Sequence, residues 1–169
     1  MTSDAAELMR LLELKPLSEE GGFFVETYRS ADTVDARQFQ RGHTGTRSLC
    51  TAIYYLLTPA SFSVLHKLPG DEIFHFYLGD PVEMLELHPD GAARVLTLGA
   101  DVAHGMKLQH VVPGGVWQGS RLLAGGNYAL LGTTVSPGFD YADFVKGSRE
   151  ELTRLYPVQA RMITELLPR

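Results

Sequence analysis

The chain has little cysteine and no long apolar segment. Cys50 is the only cysteine among its 169 residues, so no disulfide can form within the chain. No apolar run approaches the ~20 residues that a membrane-spanning helix needs. Residues 1–14 are acidic at the front and have helically spaced leucines, which is unlike a secretory signal peptide. We therefore expect a protein of the reducing cytoplasm that has no membrane partner.

Positive charge is also scarce. The 15 lysines and arginines are scattered among 20 acidic residues, which gives a net charge of −5. A nucleic-acid groove needs a basic face, and this sequence does not supply one. The composition, with 44% apolar and 21% charged residues, is typical of a globular protein. We predict one domain over residues 1–169, with no nucleic-acid partner, because no repeat or linker divides the chain.

Short strands dominate the predicted secondary structure. An amphipathic helix over residues 3–14, capped by Ser3 or Asp4, is expected at the start. A helix over residues 148–167, with a kink or break at Pro157, is expected at the end. A mobile loop is predicted over residues 31–46. The predicted strands cover residues 21–30, 47–58, 81–88, 93–98, 108–112, 116–121 and 127–134, together with both arms of a hairpin at 61–81.

Strands this short, separated by turns this often, favour a sandwich or barrel over alternating strands and helices. The predicted fold class is therefore all-β, a jelly roll with a short helix at each end.

The segment 61–81 is the predicted hairpin around which the chain is organised. Side chains alternate between the two faces of a strand. His66 should therefore share a face with Val64, and Glu72 should share one with Phe74 on the second arm. His66 and Glu72 are then candidates for the same apolar interior, while His75 has the opposite parity and should point away.

The spacing within this hairpin resembles the first motif of the cupin superfamily. That motif has a His, a second His two positions on, a Glu four further and a Gly seven further. Here these positions hold His66, Leu68, Glu72 and Gly79, so the second His is missing. The sequence PGGVWQ at 113–118 resembles the second cupin motif, but Gln118 stands where cupins commonly have a His. The resemblance therefore retains two of the four usual metal ligands.

Further blocks are similar to the small, largely uncharacterised cupin-5 family. They read EGGFFVETYRS, RSLCTAIYYLL, SVLHKLPGDEIFHFYLGDPVEMLEL, PGGVWQGS and PGFDYADF. The resemblance implies a jelly roll that is usually a dimer. It also implies relatives that include sugar-nucleotide epimerases and metal-dependent isomerases and dioxygenases, although it implies no known reaction.

Each candidate site residue has a plain structural alternative. A His on an apolar strand is more often a hydrogen-bonded core residue than a ligand, and a strand Glu often lies on an exposed face. Gln118 is predicted to form a hydrogen-bonding wall of the pocket. Arg47 and Arg29 are candidates to bind a phosphate or carboxylate, and Tyr55 is a candidate substrate-binding residue. Four other histidines, at positions 43, 88, 104 and 110, show no partner pattern and are expected to be surface or structural.

Three functions compete on these residues. The first is a metal-independent epimerase or isomerase acting on a sugar or a sugar-nucleotide-like ligand, with His66 as base and its tautomer set by Glu72. A tyrosine would return the proton, and Gln118 with Arg47 or Arg29 would orient the substrate. The second is a metal-dependent enzyme that uses His66, Glu72 and Gln118 as ligands. The third is a non-catalytic protein that binds a small molecule.

We rank the first of these functions highest, because a paired His and Glu inside an apolar mouth are hard to explain by binding alone. No cofactor is expected beyond a weakly bound divalent metal, since the neutral amide of Gln118 is a poor ligand. We also expect a homodimer, because the apolar residues 22–25 and Trp117 indicate sheet edges that pairing across a two-fold axis would cover.

Overall fold

The computed structural model describes residues 4–39 and 41–167, in which β-strands are the main regular secondary structure. The helices are α1 (Ala5–Leu11), α2 (Arg149–Leu155) and α3 (Ala160–Glu165). The strands are β1 (Lys15–Pro16), β2 (Phe23–Arg29), β3 (Thr33–Asp35), β4 (Thr46–Ser48), β5 (Thr51–Leu57), β6 (Phe62–Lys67), β7 (Asp71–Gly79), β8 (Val82–Leu87), β9 (Ala93–Leu98), β10 (Gln109–Val112), β11 (Trp117–Leu122), β12 (Ala129–Ser136) and β13 (Val145–Lys146).

Two antiparallel sheets face each other across the main core. The larger sheet has the order β1-β2-β5-β12-β7-β10, and the smaller has the order β13-β6-β11-β8-β9. Inward-facing side chains of both sheets, such as Phe74, Met84 and Leu131, form this core. The arrangement confirms the predicted all-β jelly roll with short terminal helices.

The helices cover the outer faces of the sheets. On the smaller sheet, α2 and α3 bury Leu65 and Leu85 beneath Leu152 and Ile163. On the larger sheet, α1 packs Leu8 against Leu56 and neighbouring apolar residues. None of the helices in the described ranges is long and apolar enough to span a membrane.

The strands of the central segment do not form a paired hairpin, and this part of the prediction is wrong. β6 pairs with β11 and β13, whereas β7 pairs with β12 and β10, so the turn at 68–70 carries the chain from one sheet to the other. The alternation of side chains within each strand is nevertheless as expected. His66 and Glu72 consequently approach the interior from opposite sheets.

Close backbone contacts hold this crossing turn in place. The Asp71 carboxylate accepts hydrogen bonds from the Gly114 N–H at 2.9 Å and from Arg41 at 2.8 Å. A Cβ atom on Gly114 would overlap the carbonyl of Pro69. The glycine after Pro113 is therefore required by the approach of the two turns, which lie next to the first residues of β7.

The predictions for segments 31–46 and 47–58 differ from the structure. The segment 31–46, predicted as a mobile loop, contains β3 and the first residue of β4, which pair as a two-stranded ribbon through Val34 and Arg47. Position 40 lies outside the described residues. The predicted strand 47–58 is divided between β4 and β5, and the C-terminal helix is interrupted at Pro157 as expected. At the N-terminus Asp4 caps α1 by accepting the Glu7 N–H, while Ser3 lies outside the described residues.

Candidate functional site

A cavity of about 540 Å³ opens between the two sheets, a size that suits a small-molecule ligand. Apolar side chains of β2, β5 and β12 form much of its wall, and a segment after β12 closes one side with Phe139 and Tyr141. His66 and Glu72 reach the same cavity from β6 and β7. The fold thus brings the two principal predicted site residues together.

A main-chain hydrogen bond defines the tautomer of the His66 ring. Its side chain is buried, and Nδ1 lies 2.8 Å from the carbonyl oxygen of Val64. Because that oxygen only accepts, the neutral ring carries its proton on Nδ1 and a lone pair on Nε2. The Phe144 ring stacks on the imidazole at 4.9 Å between centroids. The expectation that Glu72 sets the tautomer is therefore wrong, since the main chain of β6 itself does so.

Glu72 is a buried carboxyl whose pKa lies close to neutrality. Burial raises its pKa to about 7, with a further increase from the charge of Glu20 and partial opposition from His66, Thr133 and Gln118. Its Oε2 accepts a 2.6 Å hydrogen bond from Gln118 Nε2. Such a carboxyl is present in both protonation states near pH 7, so it can donate or accept a proton in the cavity.

Gln118 lies behind Glu72 rather than on the cavity wall. It is 2% exposed, and its position on β11 is paired with His66 on β6. Since its amide nitrogen donates to Glu72, its Oε1 is left buried without a hydrogen-bond partner in the described part of the chain. The predicted contact between Gln118 and a ligand has no support in this placement, in which the Gln118 amide binds the Glu72 carboxyl instead.

Arg47 does not reach the cavity. Its guanidinium is buried and binds the Asp143 carboxylate through Nε at 2.8 Å and Nη2 at 2.7 Å, while Nη1 donates to the Thr46 carbonyl. His43 also contacts Asp143, through Nδ1 at 3.0 Å. This buried cluster anchors the segment that carries Phe144 above His66, so the placement gives no support to a substrate-binding role for Arg47.

The other two predicted substrate contacts have different surroundings. Arg29 lines the cavity but forms a two-point ion pair with Glu26 at 2.9 and 2.7 Å. The Tyr55 hydroxyl donates to the Gly21 carbonyl at 2.9 Å, and the ring belongs to the main core. Burial, followed by the charge of Glu20, raises the pKa of Tyr55 well above its usual value. The Tyr55 hydroxyl and most of the Arg29 N–H groups are thus engaged within the chain.

Most of the remaining histidines have carboxylate partners that the sequence pattern did not reveal. Glu86 is 1% exposed and accepts from His110 Nε2 at 2.5 Å and His88 Nε2 at 3.1 Å. Burial alone would raise the Glu86 pKa, but the hydrogen bonds of His110 and His88 outweigh it and lower the pKa. His104 pairs with Asp101 at the surface. His75 lies outside the cavity, on the outer sheet face, where it stacks on Tyr77.

Sequence reasoning missed three carboxylates of the cavity. Glu20, Glu26 and Asp140 all line it. Glu20 and Glu26 belong to the EGGFFVETYRS block and Asp140 to the PGFDYADF block, so the signal was present in the blocks that carry the family resemblance. They were overlooked because their distance along the chain from His66 gives no hint of proximity.

The four positions of the cupin metal motifs do not provide a full donor set. Leu68 contributes an apolar side chain to the cavity, and the Gln118 amide is directed to Glu72. Within residues 4–39 and 41–167, no group of three His, Cys, Asp or Glu is placed to hold a metal ion. His66 and Glu72 alone fall short of the three or more ligands of a tight transition-metal site.

We expect the native protein to bind zinc, nickel or manganese weakly and below one ion per chain. Replacing Leu68→His and Gln118→His together should raise this to about one ion per chain, because all four cupin ligand positions would then hold a metal-binding side chain, with position 118 paired to His66 across β6 and β11. Elemental analysis of untagged protein after dialysis against a weak chelator measures both values. Stoichiometric metal in the native protein would contradict the prediction and favour a metal-dependent reaction.

Comparisons with known proteins agree with the fold and with the sequence blocks. Residues 6–146 match the family model Cupin_5, described as Cupin superfamily (DUF985). An uncharacterized protein of Saccharomyces cerevisiae is 38% identical in a match of 142 residues that covers 78% of this chain and 70% of the relative. A hypothetical protein from Leishmania major is similar in structure, with a TM-score of 0.88 and 35% identity over 99% of this chain and 100% of that one.

Two further solved structures extend the comparison. A protein from Shewanella oneidensis has a TM-score of 0.87 and 32% identity, covering 99% of both chains. A mutant of Bacillus subtilis oxalate decarboxylase has a TM-score of 0.53 and 15% identity, covering 92% of this chain and 38% of that one. At such low identity, the similarity to the decarboxylase concerns the fold alone.

Proposed function

Because the chain belongs to the Cupin_5 family of the cupin superfamily, we propose that it binds a small molecule in the barrel cavity and isomerises or epimerises it. The ligand is a sugar-like carbonyl compound. The observation that supports this proposal is the approach of His66 and Glu72 to one cavity from opposite sheets. One offers a basic nitrogen and the other a carboxyl with a pKa of about 7.

His66 acts as the base in the proposed reaction. Its Nε2 takes the proton from the carbon next to the carbonyl, and the electron pair of that C–H bond forms a carbon–carbon double bond. The carbonyl π electrons move to oxygen, which takes the proton of Glu72. The Val64 carbonyl then accepts from Nδ1 of the charged imidazolium, which stabilises it. The reaction uses no cofactor.

The destination of the returned proton distinguishes the two outcomes. In isomerisation between neighbouring carbons, His66 returns its proton one carbon along. The Glu72 carboxylate takes the proton of the neighbouring hydroxyl as the new carbonyl forms, which restores both residues. Epimerisation needs an acid on the opposite face of the ligand, and Tyr141 is the tyrosine of the cavity wall. Burial, followed by the charges of Glu20 and Glu19, raises the Tyr141 pKa, so its hydroxyl stays protonated.

Replacing His66→Gln tests the proposal. With a panel of unphosphorylated aldoses and ketoses in deuterated water, the native protein should exchange the proton next to the carbonyl, as followed by NMR. The variant should lose at least about 100-fold of that rate, because it lacks the base. Its melting temperature should stay within a few degrees, since the side chain lines a cavity rather than a packed core.

His75→Gln is the matched control, because His75 lies on the outer face of the sheet and should leave the rate unchanged. Equal rates for His66→Gln and the native protein would contradict the role of His66. Ligand binding in both proteins without any exchange would instead favour the non-catalytic function.

We also propose that the protein forms a homodimer, although the segments first expected at the interface are covered within the chain. Phe23 and Val25 pack beneath α1, and Trp117 packs with the C-terminal helices. The uncovered apolar surface lies instead at the β10 end of the larger sheet, where Tyr77 is 49% and Val111 is 46% exposed. Sedimentation at micromolar concentration should give twice the chain mass, and Val111→Glu should reduce it, whereas a native monomer would contradict the proposal.

A further inference from the structure

The cavity is rich in negative charge. Four carboxyl groups line it, from Glu20, Glu26, Glu72 and Asp140, against the guanidinium of Arg29. The chain therefore surrounds an apolar space of about 540 Å³ with acids contributed by distant segments. Glu72 is buried and Glu20 half-buried, whereas Glu26 and Asp140 are exposed, so the sign of these charges influences which ligands enter.

Arg29 leaves no positive charge available to a ligand. Glu26 occupies its Nε and Nη2, and the carbonyl of Phe139 lies 3.3 Å from Nη2 and 3.4 Å from Nη1. The ion pair is neutral as a unit. Arg47, the other arginine expected at the site, is held by Asp143 outside the cavity. Arg29 is the one lysine or arginine among the described residues that line the cavity, so a phosphate would have to compete with Glu26 for it.

The other three carboxyl groups are satisfied only by neutral donors in the described part of the chain. Glu20 accepts from the Ser63 hydroxyl at 2.7 Å, and Asp140 accepts from the Ala142 N–H at 2.8 Å. Glu72, which is 7% exposed, accepts from Gln118 at 2.6 Å. Hydrogen bonds from neutral groups do not cancel the charges of Glu20 and Asp140, so an excess of negative charge remains along the cavity wall even when Glu72 is protonated.

The titration of the site agrees with this geometry. Burial and then the charge of Glu20 raise the pKa of Glu72, and the same two causes act in that order on Tyr55 and Tyr141. Each of these groups is thus harder to ionise beside Glu20. A positively charged ligand in the cavity would reduce the repulsion between these carboxyl groups, whereas a negatively charged ligand would increase it.

Aromatic side chains provide faces for such a charge. Phe139 and Tyr141 meet edge to face at 5.1 Å between centroids, and Phe24 lines the same cavity. A cation is attracted to the face of an aromatic ring, most strongly where water is excluded. Aromatic faces and unpaired carboxylates together form the usual surroundings of an organic ammonium group.

We propose that the ligand of this cavity is an organic cation, a small molecule carrying an amine, and that phosphorylated and nucleotide-linked compounds are rejected. This inference rests on the proposed function in taking the cavity as the ligand site. Together the two specify an amino-bearing carbonyl compound of amino-sugar size. The amine lies among Glu20, Asp140 and the aromatic wall, while His66 and Glu72 face the carbonyl.

Charge selectivity can be measured without knowing the natural ligand. Nitroxide probes of nearly equal size, the aminomethyl, carbamoyl and carboxy forms of PROXYL, carry positive, zero and negative charge. Their effect on methyl NMR relaxation reports how often each enters the cavity. We expect at least fivefold greater enhancement from the cation than from the anion at Ile53, Thr133 and Val135, which line the cavity. The exposed Val95 on β9 should show a ratio near one.

Glu20→Gln should reduce the cation-to-anion ratio at the cavity methyl groups by about threefold, because it removes one uncompensated charge and can keep the Ser63 contact. Glu150→Gln is the matched control, since Glu150 is exposed on α2 and should change nothing. An equal or reversed ratio in the native protein would overturn the proposal.

Three sugars of related shape complete the test by calorimetry. D-glucosamine should bind at least tenfold more tightly than D-glucose, and D-glucose 6-phosphate should bind more weakly than either. Tighter binding of the phosphate overturns the ligand class and leaves the reaction untouched. Cation selectivity without proton exchange by His66 would contradict the proposed reaction but support the proposed cationic ligand. If none of the sugars binds, the nitroxide ratio decides.

Discussion

Replacing Asp143→Ala is expected to lower the free energy of unfolding by about 3 to 5 kcal/mol. The side chains of Arg47 and Asp143 are only 7% and 5% exposed, and two hydrogen bonds join them. Without the carboxylate, a guanidinium that cannot lose its proton would stay buried beside His43. Urea unfolding at pH 7 measures the effect.

Two comparisons separate the buried charge from a simple loss of contacts. Adding Arg47→Met to Asp143→Ala should recover part of the lost stability, because the unpaired charge is removed as well. Asp35→Ala breaks an ion pair with Arg37 that lies at the surface, so its unfolding midpoint should stay at the native value. Equal effects of Asp143→Ala and Asp35→Ala would contradict the assignment of Asp143 as the buried anchor.

Stability should fall as the pH rises from 5 to 8, and Glu72→Gln should remove this fall. The Glu72 pKa is about 7 in the folded protein against an ordinary value of 4.5. The folded state therefore holds the proton more tightly than the unfolded state does, and the stabilisation is complete below pH 4.5. It is lost as the pH rises through 7, and the shift corresponds to about 3 kcal/mol.

Urea unfolding of the native and Glu72→Gln proteins at pH 5, 6, 7 and 8 tests this sign and size. The difference in unfolding free energy should change by about 3 kcal/mol across the series, in favour of the variant at high pH. Glu150→Gln should run parallel to the native protein, because that carboxyl is exposed. Parallel curves for Glu72→Gln would mean that Glu72 is ionised throughout.

A protonated Glu72 is also the acid of the proposed reaction, so activity should decline over the same interval above pH 7.

The cavity residues show why part of the site was predictable. His66 and Glu72 were assigned to the interior, and His75 to the exterior, from the two-residue repeat of a strand. That repeat is a local property of the backbone, so it holds whichever strands become neighbours. In the structure β6 and β7 lie in different sheets and do not pair with each other, yet these side chains face the predicted directions.

The sequence by itself determined the fold class, the family and the inward direction of His66 and Glu72. Each of these follows from a local feature of the sequence: the turn residues, the alternation of apolar and polar side chains, or the order of the family's sequence blocks. Only the tertiary structure decided which charges meet. Arg47 reaches Asp143 across 96 positions, and Gln118 reaches Glu72 across 46. A pKa or a ligand preference depends on burial and on charges brought in from distant segments, and the spacing of residues within one motif contains neither quantity.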